Sequence, residues 1–532
     1  MSRLSPFEPC RNGYRRVRPA CAMLHALSLI LFLFSAKSFA GVLDEIGATL
    51  LFSITTHLNG SGVRAAQVET EFTAGGTDWE VSPPYLGRSP GYITYYKSAL
   101  GTTNYPNGIG TESGHADAVA NLGFGLTSGV ATNLLHLDNY EANYFVQFLS
   151  GINGDPVVNQ SYTYGTQTPA DQETTDSSFD DFSQRYNTLF VSGANNGGTV
   201  AAPATSYNGI GVGAYQGNTA SGPTLDNGRA KPDLCAPASE TSYSTPLVTG
   251  SAALLLQAAV RGDGGADTNS SANLKTIKAL LLNGTVKPGS WSAPSPSPLD
   301  PVYGAGVLNV LNSYKQLTGG KHPYSSTRTV GTGASHLPLG TGTVISNLSG
   351  WDNNTITSST TKDAINEYDF TVTNSISNAT FTGTLTLVWN RQLNQTNINH
   401  LNLYLYDLSN SQLVGASSSA VDNVQMIYLR NLPAGKYALE VLKAGGNTVS
   451  TSETYALAYE FFSTSLNLNR SGNSLVLSWP IYPAGFTLQT STSLSRTNAS
   501  WSAVTNGVTL SNNMNRTVVS IGGGNQFFRL QR

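Results

Sequence analysis

Charged residues are scarce in this chain of 532 residues. Asp, Glu, Lys and Arg together make up 11% of the sequence, and the formal net charge at pH 7 is −3. Proteins that bind nucleic acid or anionic membranes through electrostatics carry a clear excess of Lys and Arg. We therefore expect neither partner. The low charge and the many Thr, Tyr and Asn residues instead favour β-rich surfaces of the kind found on extracellular proteins.

Cysteine is equally rare, with three residues in the whole chain. Cys10 and Cys21 lie in an N-terminal segment that we expect to be removed, which leaves Cys235 alone. The mature chain is therefore not expected to form an intramolecular disulfide. A lone Cys is most often packed as a small apolar residue, and we expect Cys235 to be buried in this way.

Long apolar runs are also missing. The most apolar stretch, Ala26–Ala36, is too short to span a bilayer comfortably. Several arginines precede it, including Arg11, Arg15, Arg16 and Arg18. The small residues Ser38 and Ala40 follow it and suit a cleavage site. We predict that residues 1–40 are a bacterial signal peptide, and that the mature chain is secreted, extracellular, free of the membrane and monomeric.

The length is sufficient for two to four domains. Between Val63 and about Leu317, short apolar strands alternate with helical stretches, which predicts a parallel sheet flanked by helices. Beyond residue 345 the pattern is that of strands alone. We predict an α/β domain over residues 41–317, then a linker or loosely packed strands over 318–345. A β-sandwich over 346–462 and a small β module over 463–532 follow.

The segment from Gly228 to Gly250, GRAKPDLCAPASETSYSTPLVTG, contains the first candidate for catalysis. Ser242 lies at the start of a predicted apolar helix. The free N–H groups and the positive end of the dipole at a helix N-terminus suit an oxyanion that forms beside a hydroxyl. The alternative is that Ser242 only caps the helix, because Ser is a preferred N-cap residue.

This segment resembles the nucleophile segment of subtilisin-like serine peptidases (subtilases), KPD-x-x-APG…GTS-M-A-TP-H-V-A-G. The matching residues include Lys231, Pro232, Asp233, Thr241, Ser242, Thr245 and Pro246. Glu240 replaces the Gly before Thr-Ser, and Leu247 replaces a frequent His. The resemblance implies a three-layer α/β/α fold with a parallel sheet, and it implies that Ser242 is the nucleophile.

Two upstream segments resemble those that supply the other members of the subtilase triad. SGHADAVA, residues 113–120, resembles [NS]-[SG]-H-G-T-H-V-A and implies that His115 is the base. GSGVRAAQVE, residues 60–69, aligns without gaps on G-x-G-V-x-V-A-V-[IL]-D and places Glu69 where the family has Asp. Glu69 would accept a hydrogen bond from His115 Nδ1. Glu71 and Asp78 are alternatives for this role.

Two further segments carry expected binding residues. VSGANNGG, residues 191–198, resembles A-A-G-N-x-G, which implies that Asn195 donates to the oxyanion; Asn196 is the alternative register. VVNQSY, residues 157–162, resembles the V-[IV]-N-x-S-x-G strand along which the substrate peptide lies, which assigns Ser161 to substrate binding. Asp117 also falls among these motifs, and we expect it at the solvated surface.

Together these motifs cover roughly residues 43 to 317, in the family's order. They predict a secreted serine endopeptidase that acts on proteins and peptides by a Ser-His-Glu mechanism. Sedolisins share the fold but have a Glu in place of the His, so His115 argues against them. No cofactor is expected to be required; calcium is common in the family, but no ligand loop supports it here.

The β-rich regions suggest further relatives and an alternative function. Residues 346–462 resemble the P-like or pre-peptidase C-terminal β-sandwich, and residues 463–532 resemble a fibronectin-like module of secreted bacterial proteins. The alternative to an enzyme is a catalytically degenerate subtilase-fold protein that acts as a secreted binding or adhesive protein. The replaced residues Glu69 and Glu240 motivate this alternative.

Overall fold

The computed structural model describes residues 39–531, except for residues 73–74, 148–153, 166, 374–379, 447–448, 495–499, 505–506, 512–513 and 523. The predicted signal peptide, residues 1–40, lies outside the described residues apart from its last two positions. None of the helices in the described part of the chain is long and apolar enough to cross a membrane.

The N-terminal α/β domain alternates strands with helices, as the sequence predicts. Its helices are α1 (Phe39–Glu45), α2 (Ala48–Ile54), α3 (Gly114–Phe124), α4 (Ala142–Gln147), α5 (Pro169–Tyr186), α6 (Thr241–Arg261), α7 (Thr268–Ser271), α8 (Leu274–Asn283) and α9 (Val310–Thr318). Its strands are β1 (Arg64–Glu69), β2 (Asp78–Glu80), β3 (Ile93–Tyr96), β4 (Thr111–Glu112), β5 (His136–Glu141), β6 (Val157–Gln160), β7 (Leu189–Gly193), β8 (Ile210–Tyr215), β9 (Gly222–Pro223), β10 (Ala230–Lys231) and β11 (Leu234–Pro237).

Seven of these strands form one sheet in the order β11-β8-β7-β6-β1-β5-β3, and all neighbouring strands run parallel. Alternate residues of β1 face opposite sides, because side chains in a strand have a period of two. Ala65 joins the core cluster formed with α6, whereas Ala66 and Val68 join the cluster that contains Phe179 of α5. Helices therefore cover both faces, and the predicted three-layer α/β/α architecture is confirmed.

The C-terminal half consists of antiparallel sheets. Its strands are β12 (Ser326–Gly331), β13 (Ser349–Thr357), β14 (Lys362–Val372), β15 (Thr380–Trp389), β16 (Leu401–Asp407), β17 (Gln412–Ser417), β18 (Val424–Pro433), β19 (Gly435–Lys443), β20 (Ser452–Phe462), β21 (Asn467–Ser471), β22 (Ser474–Pro480), β23 (Thr487–Ser491), β24 (Ser502–Ala503), β25 (Thr509–Ser511), β26 (Met514–Ser520) and β27 (Phe527–Gln531). The sheets β12-β14-β19-β16-β17 and β13-β20-β15-β18 enclose one apolar core and form a β-sandwich. Two small sheets, β21-β22-β26-β25 and β24-β23-β27, form the last module.

Residues 318–345 are more than a linker. They contain β12, which pairs antiparallel with β14 along its whole length, so the sandwich begins before residue 346. Every second residue of β12 is exposed, as expected for a strand at the edge of a sheet. Few apolar residues are needed at such a position, which is why the sequence of this segment resembles a linker.

The sandwich packs directly onto the α/β domain. Helix α8 is buried along its whole length and contacts β13, β15 and β20 of the sandwich. At the far side of the interface, the Arg391 guanidinium lies 4.8 Å from the centre of the Tyr207 ring and donates to Glu173 of α5 at 2.8 Å. A helix that is buried on all sides needs packing partners on all sides, and the sandwich supplies one of them.

Two aspartates lie buried together at the end of the sheet opposite the predicted site. Asp138 on β5 accepts from the Arg64 guanidinium at 2.6 Å, and Asp155 lies 3.5 Å from Arg64 Nε. Burial and the negative charge of Asp138 raise the pKa of Asp155 to about 8. Asp155 therefore holds a proton in the folded protein at neutral pH.

This proton predicts a pH dependence of stability. The unfolded chain releases this proton near the ordinary carboxyl pKa of about 3.9. The stability that the protonated Asp155 contributes is therefore complete below that pH and is lost as the pH rises through the pKa of Asp155 in the folded protein. We expect Asp155→Asn to raise the thermal unfolding midpoint by about 2–4 °C at alkaline pH and to change it little at acidic pH. As the matched control, Asp138→Asn should lower the midpoint at both pH values because it removes the ion pair with Arg64. Equal shifts for Asp155→Asn at both pH values would contradict the interpretation.

Candidate active site

The predicted site residues gather where the parallel strands end at their carboxyl side. Glu69 is the last residue of β1, and Gly193 is the last residue of β7. Helices α3 and α6 begin at the same edge, and Ser113 caps α3 by accepting from Ala116 N. In open parallel sheets this edge is the usual place for a binding site.

Glu69 and His115 are hydrogen-bonded in the structure. The distance from His115 Nδ1 to Glu69 Oε2 is 3.1 Å, and the Glu69 side chain is only 2% exposed. Burial lowers the pKa of His115, but the hydrogen bond and charge of Glu69, together with the charge of Glu240, outweigh it and raise this pKa above its ordinary value. The carboxylate therefore holds the ring with Nδ1 toward the protein interior.

The two alternatives to Glu69 have other surroundings. Glu71 lies 3.2 Å from Lys97 Nζ and forms an ion pair with it. Asp78 opens β2, outside the central sheet. Of the three carboxylates proposed from the sequence, Glu69 is the one that the structure brings to His115.

Ser242 is the second residue of α6. Its Oγ donates to the carbonyl oxygen of Ser161 at 3.4 Å. Pro246 has no N–H, so it cannot make the helix bond to the carbonyl of Ser242 four residues earlier. Ser161 Oγ donates to that carbonyl instead, at 2.9 Å. The proline thus frees a backbone acceptor through which Ser161, the residue after β6, is bonded to α6 beside the Ser242 hydroxyl.

The adjacent residues Asn195 and Asn196 differ in their partners. Asn195 has a left-handed backbone, with φ of 97°, and its Nδ2 donates to Thr199 O at 3.3 Å. The side-chain oxygen of Asn196 accepts from both the backbone N and the Oγ1 of Thr241, each at 2.8 Å. Thr241 directly precedes Ser242, so the amide of Asn196 is fixed beside the predicted nucleophile. That of Asn195 is directed into its own turn.

A small cavity of about 130 Å³ lies in front of Ser242. Its lining consists of Ser161, Tyr162, Thr163, Gly193, Asn195, Asn196, Thr241 and Ser242. Backbone and hydroxyl groups predominate among these residues. The cavity therefore brings together Ser242, both asparagines and the predicted substrate strand.

Two other residues complete the surroundings. Asp117 is buried rather than solvated, because its Oδ1 accepts from Ser82 N at 2.6 Å; burial raises its pKa to about 7. The expected surface position is therefore wrong. Cys235 is buried as predicted, and burial raises the pKa of its thiol to about 12, which keeps it protonated. Among the described residues, no group of three or more His, Cys, Asp or Glu side chains is arranged as metal ligands.

The site also contains a residue that the motifs did not identify. Gln67 lies on β1 two residues before Glu69 and donates to its carboxylate at 2.8 Å. The signal for it was present, because a polar residue interrupts an otherwise small and apolar central strand.

Part of the sequence matches a known protein family. The subtilase family model matches residues 136–306. The matched segment includes Ser161, both asparagines and Ser242, but it begins after Glu69 and His115. A search of the curated proteins found no match.

Several solved structures are similar. The prenylagaramide maturation protease PagA is 21% identical, with 52% of this chain and 99% of that chain covered and a TM-score of 0.37. The PatG macrocyclase is 16% identical, with 52% and 97% covered and a TM-score of 0.37. A protease of Pseudoalteromonas arctica is 18% identical, with 49% and 91% covered and a TM-score of 0.30.

The family match and the motifs that precede it agree on the same α/β domain. The match supports proteolytic function of the serine type. The resemblance to subtilisin-like serine peptidases is thereby confirmed for residues 136–306, which match the subtilase family model.

Proposed function

We propose that the chain is a secreted serine endopeptidase that cleaves peptide bonds in proteins through an acyl-enzyme on Ser242. The observation that carries this proposal is the hydrogen bond between His115 Nδ1 and buried Glu69, at the same sheet edge where α6 presents Ser242. The mature chain would act outside the cell as a monomer on protein and peptide substrates, without a required cofactor.

The reaction begins with rotation of the Ser242 hydroxyl away from Ser161 O and toward His115 Nε2. Ser242 Oγ then attacks the scissile carbonyl carbon while His115 accepts its proton. Glu69 stabilises the imidazolium through Nδ1 and keeps its own negative charge. His115 next gives the proton to the leaving amine as the C–N bond breaks, and water releases the acyl group by the same steps.

The oxyanion is held by the backbone N–H of Ser242 and by the side chain of Asn196. Asn196 suits this role better than Asn195, because two bonds from Thr241 fix its Oδ1 and leave Nδ2 as the free end of the amide. Donors that are already oriented before the reaction stabilise a developing charge most effectively.

Substitutions distinguish the roles of the two asparagines. We expect Asn196→Ala to lower kcat by about 10²–10³-fold, the usual cost of one lost oxyanion donor. Asn195→Ala, the matched control, should lower kcat by less than about tenfold, because its amide bonds Thr199 O and Asn196 N within its own turn. The measurement is steady-state hydrolysis of casein. A larger loss for Asn195→Ala would return the role to Asn195.

The function itself is tested on the purified mature chain. A fluorophosphonate probe phosphonylates an activated serine, so we expect stoichiometric labelling of Ser242 together with casein hydrolysis. Mass spectrometry of the labelled peptide identifies the residue. A folded protein that neither reacts nor hydrolyses casein would support the non-enzymatic binding protein instead.

A further inference from the structure

One row of side chains across the central sheet is polar although it is fully buried. It consists of Asn139 on β5, Gln67 on β1 and Asn159 on β6, which face one another in the parallel register. All three are 0% exposed. Burial of an amide is costly unless its hydrogen bonds are made, so each of these side chains needs partners.

Gln67 bonds to both sides of the Glu69–His115 pair. Its Nε2 donates to Glu69 Oε1 at 2.8 Å and to the carbonyl oxygen of Ala116 at 2.9 Å. Ala116 follows His115 on α3, so the amide joins the carboxylate to the helix that carries the imidazole. Both neighbours are acceptors, which fixes the amide with its NH₂ toward them, although Gln67 Oε1 then lies buried without a partner among the described residues.

The bond from Gln67 restricts the position of the longer Glu69 side chain. Glu69 has one more methylene than the aspartate that the resemblance leads one to expect, and therefore one more rotatable bond. The Gln67 amide holds one carboxylate oxygen, Oε1, and thereby leaves the other, Oε2, directed at His115 Nδ1. Displacements of about 1 Å at a reacting group can cost about 10²-fold in rate, so an unanchored glutamate would be a poor orienter.

We propose that Gln67 is a positioning residue for catalysis: it fixes the Glu69 carboxylate against α3 so that a glutamate can orient His115. This inference rests on the proposed function. Gln67 acts on His115 through its bond to Glu69, and its second bond, to Ala116 O, holds that carboxylate against α3.

The neighbouring amide of the row provides a comparison. Asn159 Nδ2 donates to Ser161 Oγ at 3.0 Å, and Asn159 Oδ1 accepts from Thr249 Oγ1 of α6 at 2.9 Å. Asn159 therefore supports the Ser161 and Ser242 side of the site. Its loss should reduce the rate without altering the ionisation of His115.

The test uses Gln67→Met in the full mature chain, because methionine keeps the length of the side chain without a donor. The readouts are kcat and KM for casein and the rate of fluorophosphonate labelling of Ser242 across pH. We expect kcat to fall by about 10- to 100-fold with KM unchanged. The acid limb of the labelling rate should move to lower pH by roughly half a unit, because His115 loses part of the support that raises its pKa. Asn159→Leu should leave this limb in place.

Two controls separate positioning from a merely structural effect. Gln316→Met removes another buried amide that donates to a buried glutamate, Glu460, at 2.9 Å, far from the site. It should leave kcat of the folded protein unchanged. In a Glu69→Ala background, Gln67→Met should cause no further loss of kcat, since its effect passes through that carboxylate.

The outcomes are distinct. A wild type that does not react with fluorophosphonate overturns the proposed function. A reactive wild type with Gln67→Met of equal kcat and equal pH profile overturns the role of Gln67. Losses from Gln67→Met that are the same with and without Glu69 overturn it as well.

Discussion

Ser242→Ala is expected to lower kcat for casein hydrolysis by about 10⁶-fold, the scale of loss for the nucleophile of a triad. The substitution removes the only atom that we propose to form the acyl bond, and His115 and Glu69 cannot substitute for it. Labelling by fluorophosphonate should disappear with it. The protein should stay folded, because the Ser242 hydroxyl makes one long bond of 3.4 Å to Ser161 O.

The matched control for this experiment is Ser244→Ala, two residues further along α6. Ser244 is fully buried and its Oγ donates to Thr241 O at 3.0 Å, so its loss has a structural cost but no chemical one. We expect kcat to stay within about tenfold of wild type. Full activity in Ser242→Ala would exclude this serine as the nucleophile.

Glu69→Gln carries the second largest expected effect, a fall in kcat of about 10⁴-fold. The amide is nearly the same size but can present a donor to His115 Nδ1, which favours the ring tautomer with its proton on Nε2. That tautomer cannot accept the proton of Ser242. Steady-state kinetics with casein at mildly alkaline pH measure the loss.

Glu71→Gln and Asp78→Asn serve as controls for Glu69. Glu71 is paired with Lys97, and Asp78 starts a strand outside the central sheet, so neither change should lower kcat by more than about tenfold. If Glu69→Gln retained nearly full activity while one of these variants lost it, the orienter would have to be reassigned.

The order of the motifs predicted much of this site from sequence. Glu69, His115 and Ser242 each lie in a segment of fixed spacing that ends a strand or begins a helix, so a gapless alignment places them. The choice between Asn195 and Asn196 could not be made in this way. Our preference for Asn196 rests on its two bonds from Thr241 and on the left-handed backbone of Asn195, and two adjacent asparagines both tolerate such a conformation.

Buried polar side chains are the second feature that the sequence does not predict. The sequence predicts a surface position for Asp117 because most aspartates are exposed, yet Asp117 is buried, accepts from Ser82 N, and has a pKa raised by burial and by the neighbouring carboxyl of Glu112. Gln67 cannot be identified from sequence motifs, because its partners, Glu69 and Ala116, come from two different elements. Contacts of this kind arise from tertiary packing and leave no periodic signal in the chain.

The burial of α8 between the α/β domain and the sandwich has a consequence for how the protein can be divided. A chain cut after residue 317 would expose a buried helix face to water and would leave Asn283 Oδ1 without the two threonine hydroxyls, Thr384 and Thr386, that bond it at 2.9 Å. Conversely, a single backbone cut between the two domains would leave the two fragments bound to each other through the noncovalent interface around α8. The sandwich therefore completes the packing of the α/β domain with residues from further along the chain. It is not an appendage that can be exchanged for another domain.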